Sequence, residues 1–128
     1  LLTSRLERQL AWLAYPGVAD ARINPALVRD SALADLSGLE LAWQTWQEIE
    51  PQAGSTQRQQ FFSAWARLWA QAVSPGEALA RQTGQVQLPG PLRVNAILAN
   101  LPAFGQAFGC SAGQPMQLPA DQQLQIWP

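Results

Sequence analysis

The sequence predicts a mainly α-helical fold in which short extended segments are confined to loops. Apolar residues recur every three to four positions in several stretches, and capping residues, prolines and glycines bound those stretches. The chain has 128 residues, of which 48% are hydrophobic and 13% charged, so it is long and apolar enough to bury a core. No internal repeat or linker divides it, and we expect one helical domain over residues 1–128.

The first element is a helix predicted over residues 3–14, where leucines recur at helical spacing behind a Thr-Ser cap. The Tyr-Pro-Gly sequence at residues 15–17 ends this helix. Residues 21–28 have alternating apolar positions interrupted by Asn-Pro. That pattern predicts a loop with a short edge strand.

A second helix is predicted to begin near Asp30 or Ser31 and to end at Ile49. Its end follows from Glu50, because the residue before a proline disfavours the helical conformation. Apolar residues three and four positions apart mark its buried face. They are Leu36, Leu39, Trp43 and Trp46.

Two further helices are predicted between residues 56 and 84. Thr56 and Gln59 have capping-box spacing, and the apolar residues that follow cover more than one face, so we expect this helix to be nearly surrounded by protein. Ser74 begins the next helix as its cap, with proline at the first helical position and Glu77 completing the box. This short helix is predicted to end near Gly84.

The last third of the chain is predicted to contain a rigid loop, a short helix and a tail. Residues 85–95 include Pro-Gly-Pro, which favours a loop and places Arg93 on it or just after it. A final helix is predicted from the Asn-Leu-Pro sequence at residues 100–102 to Phe108, where Gly109 closes it. The tail ends in Ile-Trp, which we expect to act as an anchor.

Composition excludes several classes of function for these residues. The net charge is −1 and the eight arginines are scattered, so no basic stripe indicates nucleic-acid binding. No apolar run approaches the roughly 20 residues of a membrane span. The single cysteine, Cys110, cannot form an internal disulfide, and we expect a buried thiol. Without histidine, the chain alone cannot build a His-based zinc site or a Ser-His or Cys-His nucleophile.

Asp35 is the first candidate site residue, because it interrupts the apolar side of the second helix. A carboxylate on such a face is costly unless it is paired, so a partner such as arginine is expected. The alternative is an exposed position at the edge of the stripe. Ser31 lies one turn earlier on the same face.

Residues 31–39, Ser-Ala-Leu-Ala-Asp-Leu-Ser-Gly-Leu, resemble the E-N-I-A-D-L-G-G stretch of the neprilysin and endothelin-converting-enzyme family of zinc metallopeptidases. Residues 23–27, 61–66, 89–95 and 100–110 resemble, in that order, its V-N-G-x-L, F-F-x-x-(F/W)-A, P-G-x-x-R-V-N and N-x-P-x-F-x-x-A-F-x-C segments. The Ile-Trp tail resembles the terminal aromatic of the family, so the resemblance extends over roughly residues 23–127. It implies the helical part of a zincin-like peptidase domain.

The resemblance also implies roles for four positions. In the family, two histidines of an H-E-x-x-H helix and the glutamate of E-N-I-A-D bind zinc; this chain lacks the first motif and has Ser31 at the glutamate position. Asp35 matches the aspartate that orients a zinc-bound histidine. Gln87 stands where the family has a histidine that stabilises the oxyanion. Arg93 matches the arginine that grips the substrate.

Structural alternatives remain open for these residues. Arg93 is either a peptide-binding fork or the partner of Asp35. Gln87 is a loop residue hydrogen-bonded nearby rather than a catalytic donor. Ser31 has no base to activate it and is expected to cap a helix.

The leading hypothesis is a non-catalytic homologue of the family that has lost the zinc site and binds a peptide near Asp35 and Arg93, or assembles with a partner. Tryptophan faces left uncovered predict self-association or a complementary peptidase chain. The alternative is a C-terminal piece of a zinc endopeptidase whose H-E-x-x-H segment lies on a missing or separate chain. The resemblance suggests a periplasmic or secreted protein.

Overall fold

The computed structural model describes all 128 residues and contains six helices. In chain order they are α1 (Leu2–Leu10), α2 (Pro25–Ile49), α3 (Ser55–Arg67), α4 (Pro75–Gln82), α5 (Gly90–Leu98) and α6 (Pro102–Phe108). There is no strand; the only extended pairing is an isolated antiparallel bridge between Ala14 and Arg22. The mainly helical prediction is therefore confirmed. None of the helices is both long and apolar enough to cross a membrane.

Helix α1 ends four residues earlier than predicted, because the following backbone pairs with a different part of the chain. The amide of Tyr15 donates to the carbonyl of Ala21, and the amide of Ile23 donates to that of Leu13, both at 2.9 Å. These bonds satisfy groups that would otherwise continue the helix. The edge strand predicted over residues 21–28 is thus reduced to a single bridge.

Helix α2 begins at Pro25, earlier than the predicted start at Asp30 or Ser31. Asn24 precedes it in an extended conformation, and proline occupies the first helical position, where its missing N–H costs no hydrogen bond. The Asn-Pro sequence therefore starts a helix instead of interrupting a strand. Consequently Ser31 lies inside α2, and the prediction that it caps the helix is wrong.

The core lies along one side of α2, against which α1 and α5 pack. Arg29 on α2 donates to Glu7 on α1, and this hydrogen bond raises the pKa of Arg29 above its ordinary value. The largest fully buried apolar side chains are Leu6, Leu10, Leu36, Leu39, Phe62, Ile97 and Leu124.

Helix α3 follows a different cap from the predicted one. Gly54 precedes the helix, and the side-chain carbonyl of Gln57 accepts its N–H at 2.8 Å, so the box predicted at Thr56 and Gln59 is wrong. Only Phe62 is buried in this helix, which corrects the prediction that protein nearly surrounds it. Phe62 stacks on Trp43 of α2 with ring centroids 4.8 Å apart.

Helix α4 has the predicted cap, since the Ser74 hydroxyl accepts the amide of Glu77 at 3.2 Å. The loop predicted over residues 85–95 is wrong in its second half, where Gly90 and a proline occupy the first two positions of α5. Arg93 therefore lies in the first turn of α5, and its amide donates to the carbonyl of Pro89 at 2.8 Å. A proline removes no hydrogen bond in a first helical turn.

Helix α6 ends as predicted at Gly109, which has a φ of 70° that glycine adopts without strain. The C-terminal segment then returns to α2. Buried Glu40 accepts the amides of Ile126 and Trp127 at 3.0–3.1 Å, and the indole of Trp127 donates to the Ser37 carbonyl at 3.0 Å. Cys110 is half-buried, which corrects the prediction of a buried thiol.

Candidate functional site

Asp35 and Arg93 form a bidentate ion pair between α2 and α5. Arg93 donates from Nε to Asp35 Oδ2 at 2.7 Å and from Nη2 to Oδ1 at 3.1 Å. The side chain of Arg93 is only 19% exposed and that of Asp35 only 13%. The pairing expected for a carboxylate on an apolar face is therefore present, and Asp35 is not an exposed edge residue.

One face of the Arg93 guanidinium is covered by Trp69, whose ring centroid lies 3.5 Å from Arg93 Cζ. The charged group is thus fixed by a carboxylate and an aromatic face together. Gly90 allows this approach, because a Cβ at that position would lie 2.7 Å from the Trp69 carbonyl oxygen. The indole Nε1 of Trp69 is buried without a hydrogen-bond partner.

A cavity of about 210 Å³ opens beside this stack, between the turn after α1, the segment after α3, and helices α4 and α5. Arg93 and Gln87 both line it, whereas Ser31 and Asp35 do not. The structure thus brings Arg93 and Gln87 to one wall and leaves Asp35 behind Arg93 as its support. The remaining lining includes Tyr15, Trp69, Gln71, Val73, Ala78, Arg81, Gln85, Leu88 and Pro89.

Gln87 lies in the segment that joins α4 to α5 and is half-buried. Its side-chain carbonyl accepts Nε2 of Gln85 at 2.6 Å. Its own carboxamide nitrogen has no bond to the protein, so it is a neutral donor at the cavity wall.

The donor set of this chain does not fit a zinc ion. No three His, Cys, Asp or Glu side chains come together anywhere in the fold. Ser31, at the position that matches the family's zinc-binding glutamate, is a half-buried hydroxyl one turn before Asp35 on α2. The only carboxylate near it on that face, Asp35, already uses both oxygens on Arg93.

Arg81 and Tyr15 line the cavity, and sequence reasoning missed both. The one available signal was that Arg81 and Arg93 are the only charged residues between Glu77 and Asp121. Burial raises the pKa of the Tyr15 hydroxyl, and the charge of Arg81 partly opposes that effect. The Tyr15 hydroxyl is protonated at neutral pH and can donate a hydrogen bond. It lies close enough to Arg81 for the arginine charge to lower its pKa.

Comparisons with known proteins agree with the motifs. The sequence model of the family described as Peptidase family M13 matches residues 8–124. Neprilysin-1 of Caenorhabditis elegans is 32% identical over 76% of this chain and 14% of its own length. Membrane metallo-endopeptidase-like 1 of Mus musculus is 31% identical, and Endothelin-converting enzyme 1 of Rattus norvegicus is 29% identical; each match covers 66% of this chain and 12% of the relative. The matches thus span only about one eighth to one seventh of the length of these curated relatives.

Proposed function

The chain belongs to peptidase family M13. We propose that it is a non-catalytic, peptide-binding member of that family. The observation that carries the proposal is the cavity wall formed by Arg93 and Gln87, in a chain whose own residues do not fit the family's metal. Both side chains match family positions that meet the peptide substrate.

Arg93 is prepared to bind a peptide carbonyl. Its Nε and Nη2 are occupied by Asp35 and one face is stacked on Trp69, whereas Nη1 has no partner in the protein. Fixing a mobile arginine on binding would cost side-chain entropy. Because Arg93 is already fixed in the folded chain, peptide binding does not have to order it. A carbonyl that enters the cavity would receive a charge-assisted hydrogen bond from a fixed donor.

The same groups supply no chemistry for peptide hydrolysis. Ser31 offers neither the charge nor the reach of a carboxylate ligand, and no histidine can act as a base. Gln87 can donate a hydrogen bond to an oxyanion, but it cannot be cationic. The cavity is therefore suited to holding a peptide and lacks groups to cleave it.

Peptide retention tests this function. The purified chain is immobilised and exposed to a pool of acetylated hexapeptides, half with free and half with amidated C termini, and the retained peptides are quantified by mass spectrometry. We expect retained peptides to bind about two- to tenfold more weakly to Gln87→Ala, which removes one neutral hydrogen bond. Gln52→Ala is the matched control, because Gln52 is exposed and does not line the cavity. No retention, or equal loss with both variants, would contradict peptide binding in this cavity.

Metal analysis tests the non-catalytic part separately. After equilibration with zinc chloride and removal of free metal, we expect no stoichiometric zinc on the chain. One tightly held zinc ion per chain would contradict the proposed loss of the site, whatever the peptide result.

A second candidate is the C-terminal part of a zinc metalloendopeptidase whose H-E-x-x-H segment lies elsewhere. The matches cover only 12–16% of the length of the relatives, which favours this second candidate. Large apolar side chains such as Leu68 and Ile49 are 69% and 68% exposed and would pack against the rest of such a domain or a partner chain. Chelator-sensitive peptide cleavage by the product of the complete reading frame would establish this candidate, and its absence would exclude it.

A further inference from the structure

The charged side chains that line the cavity beside Arg93 are all positive. Two arginines, Arg81 and Arg93, line it, and no aspartate or glutamate does. Asp35 neutralises Arg93 from behind through two hydrogen bonds, of 2.7 and 3.1 Å. The arginine at the cavity wall without a close carboxylate partner is therefore Arg81.

Arg81 is oriented by a neutral acceptor and only weakly paired with a carboxylate. Its Nη1 donates to the side-chain carbonyl of Gln71 at 3.1 Å, which is a neutral acceptor. Its nearest carboxylate oxygen, on Glu77, lies 3.8 Å from Nη2 between two half-exposed side chains, so that contact is weak. Tyr15 also lines the cavity, and its hydroxyl, whose pKa burial raises above the ordinary value, can donate as well.

We propose that this cavity binds the free C-terminal carboxylate of a peptide, and that Arg81 is the residue that holds it. Arg81 and the Tyr15 hydroxyl donate to the carboxylate, while Arg93 and Gln87 meet the preceding carbonyl. The inference rests on the proposed peptide-binding function and names the part of the peptide that is recognised.

The size and the walls of the cavity agree with a chain end. At about 210 Å³ it is smaller than the roughly 300–1,000 Å³ of typical ligand sites, so it suits a terminal residue rather than a long peptide. Val73, Ala78 and Leu88 supply an apolar wall for the last side chain. A leucine-terminated dipeptide is therefore a suitable probe.

Three probes distinguish the sources of the carboxylate: N-acetyl-glycyl-leucine, its C-terminal amide, and N-acetyl-glycyl-glutamate α-amide, which carries a carboxylate only on the side chain. Binding to the full chain is measured by isothermal titration calorimetry. We expect the leucine acid to bind at least about tenfold more tightly than either other probe, which corresponds to one charge-assisted hydrogen bond. The preference should decrease with added salt.

Substitutions test whether Arg81 causes the preference for the acid over the amide. Arg81→Gln should reduce the acid-to-amide preference to below about twofold without weakening amide binding, and Arg81→Lys should give an intermediate preference because it keeps the charge but loses the planar fork. Arg58→Gln, an exposed arginine outside the cavity, should leave the preference unchanged. Thermal unfolding of each variant verifies that it is folded.

The outcomes separate this inference from the function on which it rests. Equal binding of acid and amide, or a preference that survives in Arg81→Gln, would overturn the role of Arg81 and leave peptide binding standing. Tight binding of the glutamate probe would overturn recognition of the chain end. If the hexapeptide pool and all three probes fail to bind, the proposed function itself is wrong.

Discussion

Removing Asp35 should expose how much the fold depends on the pairing between α2 and α5. In Asp35→Asn the geometry is retained, but Arg93, whose side chain is only 19% exposed, loses its counter-charge. Breaking a buried pair in this way costs about 3–5 kcal/mol. Because both groups keep some solvent contact and Trp69 still covers Arg93, we expect the lower end, about 3 kcal/mol.

Equilibrium unfolding in urea, followed by tryptophan fluorescence, measures this cost. With a slope of about 1.5 kcal/mol per molar urea, typical of small domains, a loss of 3 kcal/mol lowers the midpoint by about 2 M. Asp30→Asn is the matched control on the same helix. Its side chain is 91% exposed, so the midpoint should change little.

A double variant distinguishes the loss of a pair from the loss of packing. Replacing both partners by apolar residues, Asp35→Leu with Arg93→Met, removes the charges together and should restore most of the stability lost in Asp35→Asn. A cost below about 1 kcal/mol for Asp35→Asn, or a double variant that is less stable still, would refute the argument that an uncompensated charge is the cause.

Three further predictions concern the tail, the start of α5 and the cavity. Glu40→Ala should cost about 2–3 kcal/mol, because its carboxylate accepts two C-terminal amides, and hydrogen exchange of those amides should accelerate. Gly90→Ala should cost about 1–3 kcal/mol in urea unfolding, because the new Cβ would lie 2.7 Å from the Trp69 carbonyl oxygen, whereas Gly84→Ala meets open space and should be tolerated. Tyr15, the only tyrosine, should ionise above its ordinary pKa of 10.0 when absorbance is titrated in the folded chain.

The sign of the tyrosine effect on stability follows from proton binding. The folded state raises the pKa of Tyr15 and so holds its proton more tightly than the unfolded chain. That contribution to stability is fully present below pH 10.0 and is lost as the pH rises through the folded-state pKa. Tyr15→Phe should lack this alkaline loss, and Arg81→Gln should raise the pKa further. A tyrosine that ionises at or below pH 10.0 would contradict the burial argument.

Unchanged exchange of the C-terminal amides in Glu40→Ala would mean that the tail is held by Leu124 and Trp127 alone. Equal costs for the alanine variants at Gly90 and Gly84 would show that close packing under α5 is not what requires glycine there.

Local chemistry alone was enough to predict several elements. Ser74 caps α4 and Gly109 ends α6 because a side-chain oxygen and a left-handed glycine satisfy helix ends without help from the rest of the fold. The errors involve prolines. At Pro25 and in the Pro-Gly-Pro sequence before Arg93, proline opens a helix instead of breaking one. Sequence cannot distinguish these two roles when the deciding factor is where the following turn packs.

For the site, the sequence established that no histidine is available and that residues 31–39 and 89–95 resemble a peptidase family, and it predicted a cationic partner for Asp35 with an exposed position as the alternative. The packing of α5 against α2 was needed to select Arg93, 58 positions away, as that partner, and to bring Arg81 and Tyr15 into one cavity. Local patterns encode which face of a helix is apolar. They do not encode which distant side chains meet, because that depends on how the helices pack against one another.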